Sequence, residues 1–269
     1  MDHIQVEVLE SSIGILKINR PEKNNIMSFA MFRQFKQAIN QLDSNSDIRV
    51  IIITGQGDHF TAGLDASDIS SLDRGEQEPT RFALKILPIV REFQDCFSSL
   101  EKCKKPVISL VHGSCISVGL DIVTACDIRY AVRDAIISAN DIQIAITNDV
   151  GTLQRLPKIV NNQSWVRELV YTGRNASSQE CYEHGLFSRL FDSYDEAFRS
   201  TLDIARNIAA KSPFAIYGCK TTLNHARDHS VQEGLDFVAY WNIWAIQAPD
   251  ITTAYKGKLT NTQPEFPPI

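Results

Sequence analysis

Nowhere in this 269-residue chain does an apolar run approach the roughly 20 residues that a membrane helix needs, so no span is expected. Positive charge is not in excess either. Lys and Arg number 27 against 32 Asp and Glu, a net charge of -5. That balance argues against general nucleic-acid binding, which wants a basic face, while leaving room for a local patch that holds a phosphorylated ligand. The six cysteines, at 96, 103, 115, 126, 181 and 219, include no C-x-x-C pair and no His/Cys cluster with zinc-like spacing. Reduced core thiols and no metal are the expectation. The opening Met1-Asp2-His3-Ile4-Gln5-Val6-Glu7 is acidic and polar, unlike a signal or transit peptide, and the closing Pro267-Pro268-Ile269 is not a peroxisomal address. What remains is ordinary for a soluble globular protein: 43% hydrophobic and 22% charged residues, enough for one large domain or one domain with a small appendage.

The informative stretch runs from Pro106 to Arg155. Val107-Ile108-Ser109-Leu110-Val111 reads as a buried strand, His112 to Gly119 as a loop of mostly small residues, and Leu120 to Asp127 as an apolar helix carrying Asp121 near its start. Such a unit lets a ligand reach backbone N–H groups, and a helix N-terminus favours negative charge. Asp141 closes an apolar run, and Asp149 opens Asp149-Val150-Gly151-Thr152-Leu153. Three carboxylates in mainly apolar surroundings, beside a loop suited to an oxyanion, point to proton transfer on a carbonyl compound. Each has a plainer reading: Asp149 as a helix N-cap, Asp141 as a turn residue. Asp121, in an apolar helix where an unpaired acid is costly, favours a functional role.

Along the chain, Ile4–Leu9 and Ile13–Ile18 read as strands, and Ser28 as the cap of a helix ending near Leu42 with Met31, Phe35, Ala38, Ile39 and Leu42 on one face. The β-branched run Val50–Thr54 predicts a buried parallel strand. It is followed by a second strand–small loop–helix unit through Phe60-Thr61-Ala62-Gly63-Leu64-Asp65. Residues 68–80 are expected to form a mobile loop, and 82–100 a helix. Lys102, Lys104 and Lys105 read as a solvated turn, and Asp127 with Arg129 as an ion pair. Ser164 is expected to cap a helix over 165–171. Three helices follow residue 194, then a loosely ordered tail from Thr260. The domain pattern is therefore a core of repeated β-β-α units over 1–192 and a helical layer over 193–269, whose apolar faces suggest packing on other subunits.

Asn19-Arg20-Pro21, Phe60-Thr61-Ala62-Gly63-Leu64-Asp65, His112-Gly113-Ser114-Cys115, Ala125-Cys126-Asp127-Ile128-Arg129 and Gly151 to Pro157 together resemble the crotonase (enoyl-CoA hydratase/isomerase) superfamily, in matching order over nearly the whole chain. Within it, the acid at Asp149 and the segments Leu120–Asp127 and Arg227-Asp228-His229-Ser230-Val231 are most similar to the Δ3,5-Δ2,4-dienoyl-CoA isomerases. The resemblance implies an α/β crotonase-like spiral and an isomerase of fatty-acid β-oxidation. It implies an acyl-CoA substrate with no separate cofactor, assembly as a homotrimer or homohexamer, and a peroxisomal or mitochondrial setting, the cytoplasm also being compatible with the sequence. Carried over by motif, the oxyanion-binding amides fall on Leu64 and Val118, the CoA contact on Ala62, and the catalytic acids on Asp121, Asp141 and Asp149. An enoyl-CoA hydratase, a Δ3-Δ2-enoyl-CoA isomerase and an inert acyl-CoA-binding homologue are the alternatives.

Two positions depart from the family's pattern. Ser117-Val118-Gly119 stands in a glycine run, and valine resists positive φ. Asp141 stands for a glutamate, which draws its carboxylate back by about 1 Å.

Overall fold

The computed structural model describes residues 3–70 and 73–269. Its main sheet has six strands: β1 (Ile4–Leu9), β2 (Ile13–Ile18), β3 (Val50–Gly55), β4 (Val107–Val111), β6 (Ile128–Val132) and β9 (Arg189–Phe191), adjacent in that order. Only the β1–β2 hairpin is antiparallel. A second sheet joins β5 (Ser114–Ile116), β7 (Ile136–Ser138) and β8 (Ala176–Ser177).

The continuous apolar run of β3 is explained by burial of both its faces, as parallel strands require. Side chains alternate across a strand, so Ile51 and Ile53 enter one core and Val50 and Ile52 the other. The first core is roofed by α1 (Phe29–Ser44), α3 (Pro79–Lys102) and α4 (Val118–Ala125). Ser28 does cap α1, accepting from the Met31 amide at 3.3 Å. Phe32 meets Phe93 and Phe97 of α3 edge-on, with centroids 5.2 and 5.0 Å away. On the opposite face of the sheet, α8 (Tyr194–Ala209) lays Ala197, Ala205 and Ala209 against Ile13, Ile52, Ile108 and Leu110. Small residues there let helix and sheet approach closely. The last helices are α9 (Pro213–Ala226), α10 (Val231–Ala245) and α11 (Pro249–Thr260). This is the α/β architecture expected, β-β-α units followed by helices.

Several local expectations are corrected. The loop expected over 68–80 is shorter: α2 (Ala66–Ser70) occupies its start and α3 its end, while Ser71 and Leu72 lie outside the described residues, as do Met1 and Asp2. Asp127 pairs not with Arg129 but with Lys220 of α9, at 2.8 Å, and also accepts from the Val107 amide. Arg129 instead donates to the Leu186 and Cys126 carbonyls. Lys105 is 3% exposed, its ammonium donating to the Leu42 and Asn45 carbonyls at the end of α1. Asn162, not Ser164, caps α6 (Gln163–Thr172). The tail is anchored, since Phe266 is buried and its carbonyl accepts from Arg49. The contacts of Asp127 with Val107, of Lys105 with Leu42 and of Arg49 with Phe266 span 20, 63 and 217 residues of sequence, beyond the reach of local pattern.

Candidate active site

Two chain segments run side by side to build the site. Thr61 bridges Cys115, the Thr61 amide donates to the Ser114 carbonyl, and the Ile116 amide donates to the Thr61 carbonyl. Gly63, at φ 105°, continues this close approach: a Cβ there would lie 3.4 Å from the Cβ of Ser117. The residues that follow each segment are Leu64 and Val118. Among the described residues neither amide has a hydrogen-bond partner in the chain, although the Met27 strand edge takes the flanking Gly63 carbonyl and Asp65 amide. Val118 is the first residue of α4, where an amide has no intrahelical acceptor. The left-handed backbone needed to enter the helix falls on Ser117 (φ 51°, ψ −111°), not on Val118, so the β-branched side chain is accommodated. Ala62 lies beside this pair, its amide donating to Asn24. Arg20, from the Asn-Arg-Pro motif, holds the same loop by pairing with Asp65 at 2.8 Å.

All eight residues of α4 are buried, Asp121 included at 2% exposure. One oxygen of Asp121 accepts from both the amide and the hydroxyl of Thr152, each at 2.7 Å. Thr152 opens α5 (Thr152–Ile159), which has no side-chain cap of its own, so Asp121 satisfies an amide of that helix from a distance. Burial pushes the Asp121 carboxyl up to about 7, against the pull of Thr152, with the charge of Asp141 adding to the rise.

Asp141 lies in a 3-10 turn over Asn140–Ile144. Both its oxygens are occupied: one accepts from the Ser117 hydroxyl at 2.5 Å, the other from the Asn148 amide group. Asp149 caps no helix, because the N-cap of α5 is Gly151 two residues later. Among the described residues it has no ion-pair partner. Its carboxyl is nonetheless raised above the usual aspartate range, by the crowding of neighbouring atoms and then by Asp141. Asp141 is tied to the loop of Asp149 through Asn148, the residue before Asp149, whereas Asp121 is tied to Thr152, three residues after Asp149.

The loop carrying Asp149 is clamped from two helices. Gln94 of α3 donates to the Asp149 carbonyl at 2.7 Å. Arg155, 8% exposed, pairs with Glu101 of α3 at 2.6 Å, and Glu101 in turn pairs with Arg227. Asp149 lines a cavity of about 330 Å³ together with Gln94, Ser98, Arg155 and Lys158. Leu64, Val118, Asp121 and Asp141 are not on its wall. Among the described residues no group of three His, Cys, Asp or Glu side chains could hold a metal ion. All six cysteines are free, five of them buried.

Gly151 is indispensable to this loop. Its φ is 140°, and a Cβ would lie 1.7 Å from the Arg155 guanidinium. Gly151→Ala is expected to destabilise the protein by about 1–3 kcal/mol from the backbone alone and to push Arg155 off Glu101. A thermal unfolding midpoint equal to that of the wild type would contradict this.

The positions of Ser117, Asn148, Thr152 and Gln94 as partners of the acids were not evident from the sequence. Thr152 is 31 residues from Asp121 and Gln94 is 55 from Asp149, and no motif marks either pair.

With this geometry in place, the kinship of the chain is clear: it belongs to the enoyl-CoA hydratase/isomerase family, the crotonase superfamily, which it matches over residues 9–247. The fold is shared with an enoyl-CoA hydratase from Bacillus anthracis, at a TM-score of 0.87 and 24% identity over 98% of this chain and 99% of that one. Among relatives, the mitochondrial Delta(3,5)-Delta(2,4)-dienoyl-CoA isomerase of Mus musculus is 38% identical over 260 residues, covering 96% of this chain and 80% of that protein. The peroxisomal enzyme of the same name from Arabidopsis thaliana is also 38% identical, over 96% of this chain and 93% of its own length. The protein is a dienoyl-CoA-isomerase-like enzyme of this superfamily.

Proposed function

We propose that the protein converts a 3,5-dienoyl-CoA to the 2,4-dienoyl-CoA in fatty-acid β-oxidation. The amides of Leu64 and Val118 donate to the thioester oxygen, and their hold strengthens as negative charge builds there; one such donor is typically worth about 3–4 kcal/mol. Asp149, as carboxylate, takes a proton from C2. The C–H electron pair forms a C1–C2 double bond as the carbonyl electrons move onto the thioester oxygen, giving an enolate conjugated with the C3–C4 and C5–C6 double bonds. Asp141, as carboxylic acid, then delivers a proton to C6, leaving the C2–C3 and C4–C5 double bonds. One carboxylate has gained a proton and the other has lost one, so exchange with solvent resets the pair. Asp121 balances charge between them, and Ala62 contacts the CoA moiety.

The observation that carries this reading is Asp149, a carboxyl raised above the usual aspartate range with no helix to cap and, among the described residues, no ion pair, on a loop tied to Asp141 through Asn148. A hydratase working through two glutamates has no use for an acid there. Association with other subunits is supported by the apolar side chains that α9–α11 leave exposed, among them Leu223 at 70%, Trp244 at 75% and Leu259 at 84%; a trimer or hexamer is what the resemblance implies. The mitochondrial and peroxisomal relatives support one of those compartments.

The test is ultraviolet absorbance of the conjugated 2,4-dienoyl thioester as it forms from a 3,5-dienoyl-CoA, with hydration of a 2-enoyl-CoA assayed in parallel. Rapid growth of the dienoyl chromophore supports the isomerase. Hydration alone would make the protein a hydratase, and tight CoA binding without either reaction an inert homologue.

A further inference from the structure

The two departures from the family's pattern touch each other. Ser117, where a glycine run is usual, donates its hydroxyl to Asp141, where a glutamate is usual, across 2.5 Å and 24 residues of sequence. Ser117 is 7% exposed and adopts φ 51°, a conformation that glycine takes freely and serine does not. Its amide is fixed by the Ser138 carbonyl at 2.8 Å, at the end of the strand that leads to Asp141. The left-handed backbone therefore costs energy, and what it secures is a hydroxyl at the place where the shorter acid ends. On its other oxygen Asp141 is met by Asn148, the residue before Asp149.

We propose that Ser117 is a positioning residue for Asp141: its hydroxyl compensates for the missing methylene and seats the carboxyl for proton delivery. The hydroxyl can donate to the carboxylate or accept from the carboxylic acid, so it accompanies Asp141 through both protonation states. This rests on the isomerase reading above.

The test is a double-mutant cycle with Ser117→Gly, Asp141→Glu and the pair together, read as dienoyl formation and, separately, as exchange of the C2 hydrogens with deuterated solvent. Glycine suits φ 51°, so S117G should keep its thermal midpoint and the Val118 amide in place, with C2 exchange within about threefold of wild type. Its kcat for isomerisation should fall about 10–100-fold, with little change in KM, because the delivering acid has lost its seat. D141E alone should also be slow, its longer side chain meeting the serine hydroxyl, whereas S117G/D141E should recover to within a few-fold of wild type. Additive losses in the cycle, or an S117G enzyme as fast as wild type, overturn the proposal. Equal losses of exchange and isomerisation in S117G also overturn it, since they would place the defect in the oxyanion turn. A wild-type protein that does not isomerise the dienoyl thioester is a different failure, that of the function itself.

Discussion

Asp149→Asn is expected to slow isomerisation of a 3,5-dienoyl-CoA by about 10²–10⁴-fold, the usual contribution of a positioned general base, while leaving CoA affinity and folding unchanged. Asparagine matches aspartate in shape but accepts no proton at its amide. The fold should tolerate the change because Asp149 neither caps α5 nor joins an ion pair among the described residues. The loop is held through its backbone instead, by Gln94 on the Asp149 carbonyl. The wild-type pH profile supplies a second check. The carboxylate form is the base; its side chain is exposed, but neighbouring atoms partly desolvate it and, with Asp141, raise its proton affinity. Loss of activity on acidification should therefore set in above the range of an ordinary aspartate, with an apparent pKa that belongs to the coupled acids together. Activity of the variant within tenfold of wild type would remove Asp149 from the mechanism.

Asp121 gives stability a pH dependence of its own. Its carboxyl titrates at about 7 in the folded chain against an ordinary 3.8. Between those values the native state holds a proton that the unfolded state has released, so stability falls as pH rises through this window and levels off above it. A shift of that size corresponds to about 4 kcal/mol. Asp121→Asn keeps an oxygen to accept from the Thr152 amide and hydroxyl but does not titrate. The variant should lose most of the decline in unfolding free energy that the wild type shows between pH 4.5 and pH 8, measured by urea titration. Parallel slopes for the two proteins would show that Asp121 is ionised in the native state throughout, and with that its burial would carry no linkage.

The strands of the main sheet and the cap at Ser28 were legible because each is a local matter: side-chain alternation, β-branched runs, or a hydroxyl three residues before an amide. The ends of helices were less so. The extension of α3 back to Pro79 and the existence of α11 depend on packing that no short window contains. The acids themselves stood out by residue type in apolar surroundings. What each acid is bonded to did not, and on this the chemistry turns. Asp121 and Asp141 look alike in sequence, yet one is sealed against Thr152 and the other is held between Ser117 and Asn148.

Sequence alone determined the superfamily, the order of the strands along the chain and which carboxylates to examine, because those follow from periodicity and from motifs a few residues long. Only the tertiary structure decided that Ser117 rather than Val118 takes the left-handed turn. Only there does Lys220, and not Arg129, neutralise Asp127, and only there is Asp149 free of capping duty. Hydrogen bonds and burial between segments tens of residues apart set those outcomes, and the energy of such contacts exists only once the chain has brought them together.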